Sequence, residues 1–160
     1  MHMKIISVIV AAGVCLLAGC GTNRPSEGAG GSAQKIGKSD DFKIKAAVYG
    51  YLLQHQAWVG SNYSAIFLEG SDAEVAALMW KFPNQVPPIK PGDRAQLLPH
   101  QTPLDKDTGK PALVLSAKAL DPSNGASEAI GTWYGGEAVS GLCAFVLVKA
   151  HGEWTIQSVR

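Results

Sequence analysis

From Ala112 onward, short apolar runs alternate with clusters of turn-forming residues, and this rhythm restricts the fold more than any other feature of the chain. The runs are Ala112 to Leu120, Ala129 to Tyr134, Leu142 to Lys149 and Trp154 to Val159. They are separated by Asp121-Pro122-Ser123-Asn124-Gly125, Gly135-Gly136 and His151-Gly152. Each run has strand length and each separator has turn chemistry. Connections this short join antiparallel neighbours, because a parallel pair needs a crossover of a dozen residues or more. The last third of the chain is therefore expected to be an antiparallel meander.

The residues before it read as helices and connections. Ser39 and Asp40 are N-cap candidates for a first helix, with Ile44, Ala47, Val48, Tyr51, Leu52 and His55 recurring at helical spacing until Gly60-Ser61-Asn62 breaks it. Tyr63 to Leu68 is a short apolar and aromatic run with strand character. Ser71-x-x-Glu74 is a capping box and opens a second helix. Its stripe is Val75, Leu78, Met79 and Phe82, and Pro83 ends it. Pro87, Pro88 and Pro91 make Asn84 to Asp93 neither helix nor central strand, hence a connection. A short strand near Ala95 to Leu98 and a turn at Asp105 to Gly109 complete the reading. The expected class is α+β: two N-terminal helices packed on one face of a curved antiparallel sheet of about 4 to 6 strands.

This order of elements resembles the NTF2-like (cystatin-like, cone-shaped) superfamily. The resemblance is carried by Gly131-Thr132-Trp133-Tyr134, Gly141-Leu142-Cys143-Ala144-Phe145-Val146-Leu147-Val148 and Gly152-Glu153-Trp154-Thr155-Ile156, which look like its closing strands. It implies a pocket between sheet and helices and, in many members, pairing through the sheet. Enzymes, ligand binders and scaffolds share this fold, so the resemblance selects no single activity.

The N-terminus carries a separate signal. Lys4 precedes an apolar run from Ile5 to Leu17, shorter than the roughly 20 residues a helix needs to cross a bilayer. A basic start, a short apolar run and small residues make a secretory signal. The ending Leu17-Ala18-Gly19-Cys20 resembles the bacterial lipoprotein box. That resemblance implies a diacylglyceryl group on the Cys20 thiol, cleavage after Gly19, and acylation of the new amine by a chain such as palmitate. Gly21, standing where Asp would retain the protein in the inner membrane, implies the outer membrane, facing the periplasm.

The expected organisation is a signal peptide at 1–19, the lipidated cysteine and a Gly- and Ser-rich flexible tether at 20–39, and one domain at 40–160. Cys15 leaves with the signal and Cys20 carries lipid, so Cys143 has no intramolecular partner and is expected as a buried thiol. Fourteen Lys and Arg face 13 Asp and Glu, and loss of Lys4 with the signal brings the two into balance. A chain without excess positive charge lacks the field that gathers nucleic acid, so no nucleic-acid partner is expected.

Motifs for chemistry are sparse. Gly37-Lys38-Ser39 imitates the end of a phosphate-binding loop, but Ser32 stands where the first glycine belongs. Asp105-x-Asp107-x-Gly109 imitates a calcium loop, but Ser116 stands where its bidentate glutamate belongs, so a hairpin turn is expected. His55, His100 and His151 lie far apart in sequence, and no metal or cofactor is expected. No catalytic residue is assigned.

Tyr51 and His55, four apart on the first helix, are candidates to line a pocket as hydrogen-bond donor and proton shuttle. The bland reading puts Tyr51 in the core and His55 at the helix C-terminus. Trp133, with Tyr134, Phe145 and Trp154, is either aromatic pocket lining or ordinary core. Glu128 is the main carboxylate on an expected strand.

The functional expectation is a lipid-anchored envelope protein with a non-catalytic binding domain for a small ligand or a protein partner. The alternative is a small pocket enzyme of isomerase or dehydratase type using an acid/base pair. Besides the membrane, the expected partners are a second copy of the chain or another envelope protein. The reason lies in Leu142 to Val148, which is apolar on both faces, whereas a strand with one wet face alternates apolar with polar.

Overall fold

The computed structural model describes residues 38–55, 62–120 and 124–160. The expected signal peptide, Cys20 and nearly all of the expected tether lie outside them, as do Asp121 to Ser123 of one expected turn. Among the described residues the fold is α+β, with two helices and a mostly antiparallel sheet of six strands.

Helix α1 spans Lys38–His55, so helix begins two residues inside the expected tether. Strand β1 (Ile66–Leu68) is shorter than the apolar run that contains it. Helix α2 follows at Asp72–Lys81, opened by the expected capping box. Ser71 Oγ accepts from Glu74 N–H at 3.4 Å, and Glu74 Oε2 accepts from Ser71 N–H at 3.0 Å. Strand β2 (Ile89–Pro91), a single turn at Gly92–Arg94, and the two-residue strands β3 (Ala95–Gln96) and β4 (Leu104–Asp105) come next. The meander then runs β5 (Leu113–Ala119), β6 (Ala126–Tyr134), β7 (Ser140–Ala150) and β8 (Glu153–Val159). Asn124 and Gly125, like His151 and Gly152, take positive φ in their turns, as tight hairpins favour.

The strand order is β2-β1-β5-β6-β7-β8. From β5 to β8 every pairing is antiparallel, but β1 runs parallel to both β2 and β5. The expected all-antiparallel sheet is corrected there: α2 is the crossover that returns the chain for a parallel pairing. The proline-rich connection also contributes β2, which lies at the sheet edge, where Pro91 costs no central ladder bond.

Both helices cover one side of the sheet, and Ile44, Val48 and Leu52 of α1 share one core with Leu113, Leu115, Phe145 and Leu147. Gly131 lets them approach: a Cβ there would sit 2.8 Å from both the Phe145 ring and Val48. The buried arc of α1 is wider than its spacing suggested. Ala46, Tyr49 and Leu53 are buried as well, while Ala47 and Tyr51 are half-buried and His55 is exposed. The cause is a second neighbour, since that arc faces β1 and α2. Tyr49 O–H donates to the Glu69 carbonyl at 2.6 Å, and Lys45 pairs with Glu74 at 3.1 Å. Burial pushes the Tyr49 phenol well above its ordinary range. On α2, Val75 and Leu78 are buried, Phe82 is half-buried, and Met79, expected in the stripe, is exposed.

The described residues cover the other side of the sheet at one end only. Phe67 and Val114 pack there with Ala65, Ala95 and Ala112, beneath the segment holding β3 and β4. Toward β7 that side stays open: Leu142 is 60% exposed, and Ala144, Val146 and Val148 are half-buried. Cys143, expected to be buried, is half-buried. Cys143, opposite Gly131 on β6, lies outside the stretch of β7 that pairs with β8, where Val159 meets Phe145 and Arg160 meets Ala144.

Candidate functional site

An open groove of about 370 Å³ lies along the outer face of α1, between the end of α2 and β8. It exists because α1 presents small residues there. Ala46, Ala47 and Gly50 form its floor, and a Cβ on Gly50 would meet the Phe82 ring at 3.4 Å. Tyr51, Phe82, Trp154 and Ile156 give it apolar walls, while Lys43, Gln54, Lys81 and Thr155 give it polar groups. Its one carboxylate, Glu153, is engaged by Lys43 at 3.1 Å, and Lys43 also donates to the Gly152 carbonyl at 2.7 Å.

One end of the groove is fixed by a polar cluster that ties the start of α1 to the β7–β8 hairpin. Asp40 accepts from Lys149 at 2.8 Å and from the Trp154 indole N–H at 3.2 Å. These bonds, from Lys149 first, hold the Asp40 carboxyl below its usual range. Trp154 is thereby oriented as a wall. The ring is a buried structural residue and a lining residue at once.

Of the residues singled out from sequence, Tyr51 lines this groove, while His55 and Trp133 do not. Tyr51 and His55 do meet, as stacked rings with centroids 3.8 Å apart and planes 10° from parallel. His55 Nδ1 lies 3.0 Å from the Tyr51 carbonyl, a contact that occupies one ring nitrogen with its own helix end. Tyr51 also packs edge-on against Phe145, with centroids 5.3 Å apart. Trp133 lies over Gly141 on the neighbouring strand, where a Cβ would collide with the indole. Phe145 is core, Tyr134 O–H donates to the Gln101 carbonyl at 3.0 Å, and Glu128 is exposed on β6.

The groove contains several residues that the sequence did not assign to a site, namely Ala46, Gly50, Lys81 and Phe82, the last of which was expected in the apolar stripe of α2. Gly50 was the available signal, since a glycine within a helical pattern costs about 1 kcal/mol relative to alanine and calls for a packing reason.

The most connected carboxylate is elsewhere. Asp105, whose side chain is only 2% exposed, accepts from Lys90 at 2.8 Å, from Asp107 N–H at 3.1 Å and from Thr108 O–H at 3.0 Å. The Lys90 hydrogen bond foremost holds its carboxyl below the usual range, outweighing burial. This is the hairpin turn expected from the calcium-like spacing. Among the described residues no group of three or more His, Cys, Asp or Glu is placed to hold a metal, and no helix is long and apolar enough to cross a membrane.

Comparison with protein-family models, with curated proteins and with solved structures gave no match to this chain.

Proposed function

We propose that this is a lipid-anchored bacterial envelope protein, held through Cys20 at the outer membrane and facing the periplasm, whose NTF2-like domain binds a partner and does not catalyse. The observation that carries the binding role is the open side of β7. Leu142, Val146 and Val148 stay partly exposed there, although their neighbours Phe145 and Leu147 are buried core. An exposed apolar stretch on a regular sheet is a contact surface awaiting cover.

We assign that cover to a second copy of the chain. Balanced charge offers no long-range repulsion between copies. An acyl anchor confines them to one surface and raises their effective concentration. The groove beside α1 is the small-ligand site of the same module, with apolar walls and the Lys81 ammonium at its edge. Acid/base catalysis would need two groups aimed at one point. In this groove the carboxylate is paired with Lys43, and the imidazole next to Tyr51 lies outside.

Two measurements test the proposal. Mass spectrometry of the mature protein should find the new N-terminus at an acylated Cys20, and Cys20→Ser should abolish both cleavage and acylation. An unmodified Cys20 would end the anchor reading. Sedimentation of the detergent-solubilised protein should show a dimer that Val146→Glu converts to a monomer. A wild-type monomer at tens of micromolar would remove the second copy.

A further inference from the structure

We infer that the end of α2 and the loop after it are a second membrane contact, laid into the headgroup region of the bilayer that holds the Cys20 anchor. The inference rests on the lipid-anchor reading of Cys20. Its first ground is exposure without a structural cause. Trp80 and Val86 are each 85% exposed and Met79 is 39% exposed, and Ala76, Ala77, Pro83 and Pro88 are also at the surface. From this segment the fold buries Val75, Leu78 and Pro87 and half-buries Phe82. A solvent-facing helix position is ordinarily filled by Lys, Glu or Gln, which favour helix and stay hydrated. An indole this exposed covers little of the described residues.

Charge selects the kind of partner. Acidic residues of α2 are confined to its first turn, Asp72 and Glu74. From Val75 to Pro88 there is no Asp or Glu, and Lys81 is the one charged residue. The end of α2 and the loop after it combine an exposed tryptophan, aliphatic neighbours and a lysine with no carboxylate of their own, and the nearby Glu153 is paired with Lys43, a combination that matches a lipid–water interface. The indole settles at headgroup depth, the apolar groups enter the acyl boundary, and the ammonium reaches phosphate oxygens. A carboxylate would be repelled by anionic headgroups. The open side of the sheet lacks this character, since its strands carry the exposed Glu128 and Lys118.

Reach is sufficient. A Gly- and Ser-rich linker as long as the seventeen residues between Cys20 and Lys38 has a root-mean-square span of about 23 Å. The end of α2 packs beside Gly50, roughly 18 Å along α1 from Lys38 at the ordinary helical rise. The anchored domain can therefore turn this end to the bilayer without straining the tether. Once Cys20 is inserted, the second contact is an intramolecular event, so a small apolar area suffices. It would fix the domain's orientation and determine which surfaces face the periplasm.

The test uses the mature acylated protein in vesicles of phosphatidylethanolamine and phosphatidylglycerol, with and without acyl-brominated lipid. Flotation reads the anchor, and bromine quenching of tryptophan emission reads the contact. Wild type should float and be quenched, and Trp80→Ala should float equally while losing more than half of the bromine-sensitive emission. Floating protein with emission insensitive to bromine, or with quenching unchanged in Trp80→Ala, overturns the contact and leaves the anchor standing. Protein that does not float overturns both.

Discussion

The two sides of β7 differ by one residue of register and almost completely in environment. Phe145 and Leu147 are sealed beneath α1, whereas Leu142 and Val146, equally apolar, remain partly in contact with solvent. Composition alone cannot separate them. What separates them is the cover supplied by the rest of the chain, two helices on one side and only the short β3–β4 segment on the other. A strand that is apolar on both faces therefore does not itself say which face the chain will cover.

The sharpest way to break this contrast is to truncate one residue on each side. Phe145→Ala should cost about 3 to 5 kcal/mol in denaturant unfolding, because it leaves a cavity beneath Val48, Leu52 and Tyr51. Leu142→Ala should cost less than about 0.5 kcal/mol in the monomer, as exposed positions do. If the proposed second copy covers Leu142, its truncation acquires a cost that grows with protein concentration. Equal costs for both truncations at low concentration would show that the two sides are alike.

A second test sits at the far end of the open side, where the β3–β4 segment covers Phe67 and Val114. Asp105 holds that segment to Lys90 on β2, and its removal leaves the Lys90 ammonium only its longer contact to Asp107, at 3.4 Å, and strands the Asp107 N–H and the Thr108 hydroxyl. Asp105→Ala should cost about 2 kcal/mol and speed hydrogen exchange in the cover before the meander. The effect depends on pH. A carboxyl whose folded value is lowered stabilises the fold above its unfolded value of about 4 and loses that contribution as acid carries the pH down through the folded value. The variant should thus converge on wild type below that range. A constant difference from neutral pH into strong acid would mean that Asp105 acts by packing alone.

Much of the fold was legible because its signals are local. The capping box, the turn dipeptides and the strand-length runs are written in neighbouring residues, and α2 and β5 to β8 fall where those signals place them. What was not legible depends on distant neighbours. Nothing near Ile66 announces that β1 pairs parallel on both flanks. The burial of Tyr49 and Leu53 requires α2 to be packed against α1. Cys143 reads as core until the end point of β8 is known. The groove was half legible: Tyr51 could be picked from helical spacing, but Lys81 and Phe82 reach it only through the packing of α2 on Gly50.

The smallest expected effect concerns the two ends of α2, one capped and structural, the other bare. At the capped end Ser71 and Glu74 satisfy each other's backbone donors, and Glu74 also accepts from Lys45 of α1. The Ser71 backbone N–H above all, with Lys45 and the Ser71 hydroxyl, holds the Glu74 carboxyl below its usual range. Ser71→Ala should therefore cost about 1 kcal/mol, the ordinary value of an N-cap, with faster exchange confined to the first turn of α2. Trp80→Ala at the bare end removes a far larger side chain, yet should leave unfolding within about 0.5 kcal/mol of wild type, since the indole packs on nothing the fold needs. A loss at Trp80 as large as that at Ser71 would show that the indole does stabilise the fold. A null result at Trp80 with a measurable one at Ser71 would mean that the capped end serves the domain and the bare end serves something outside it.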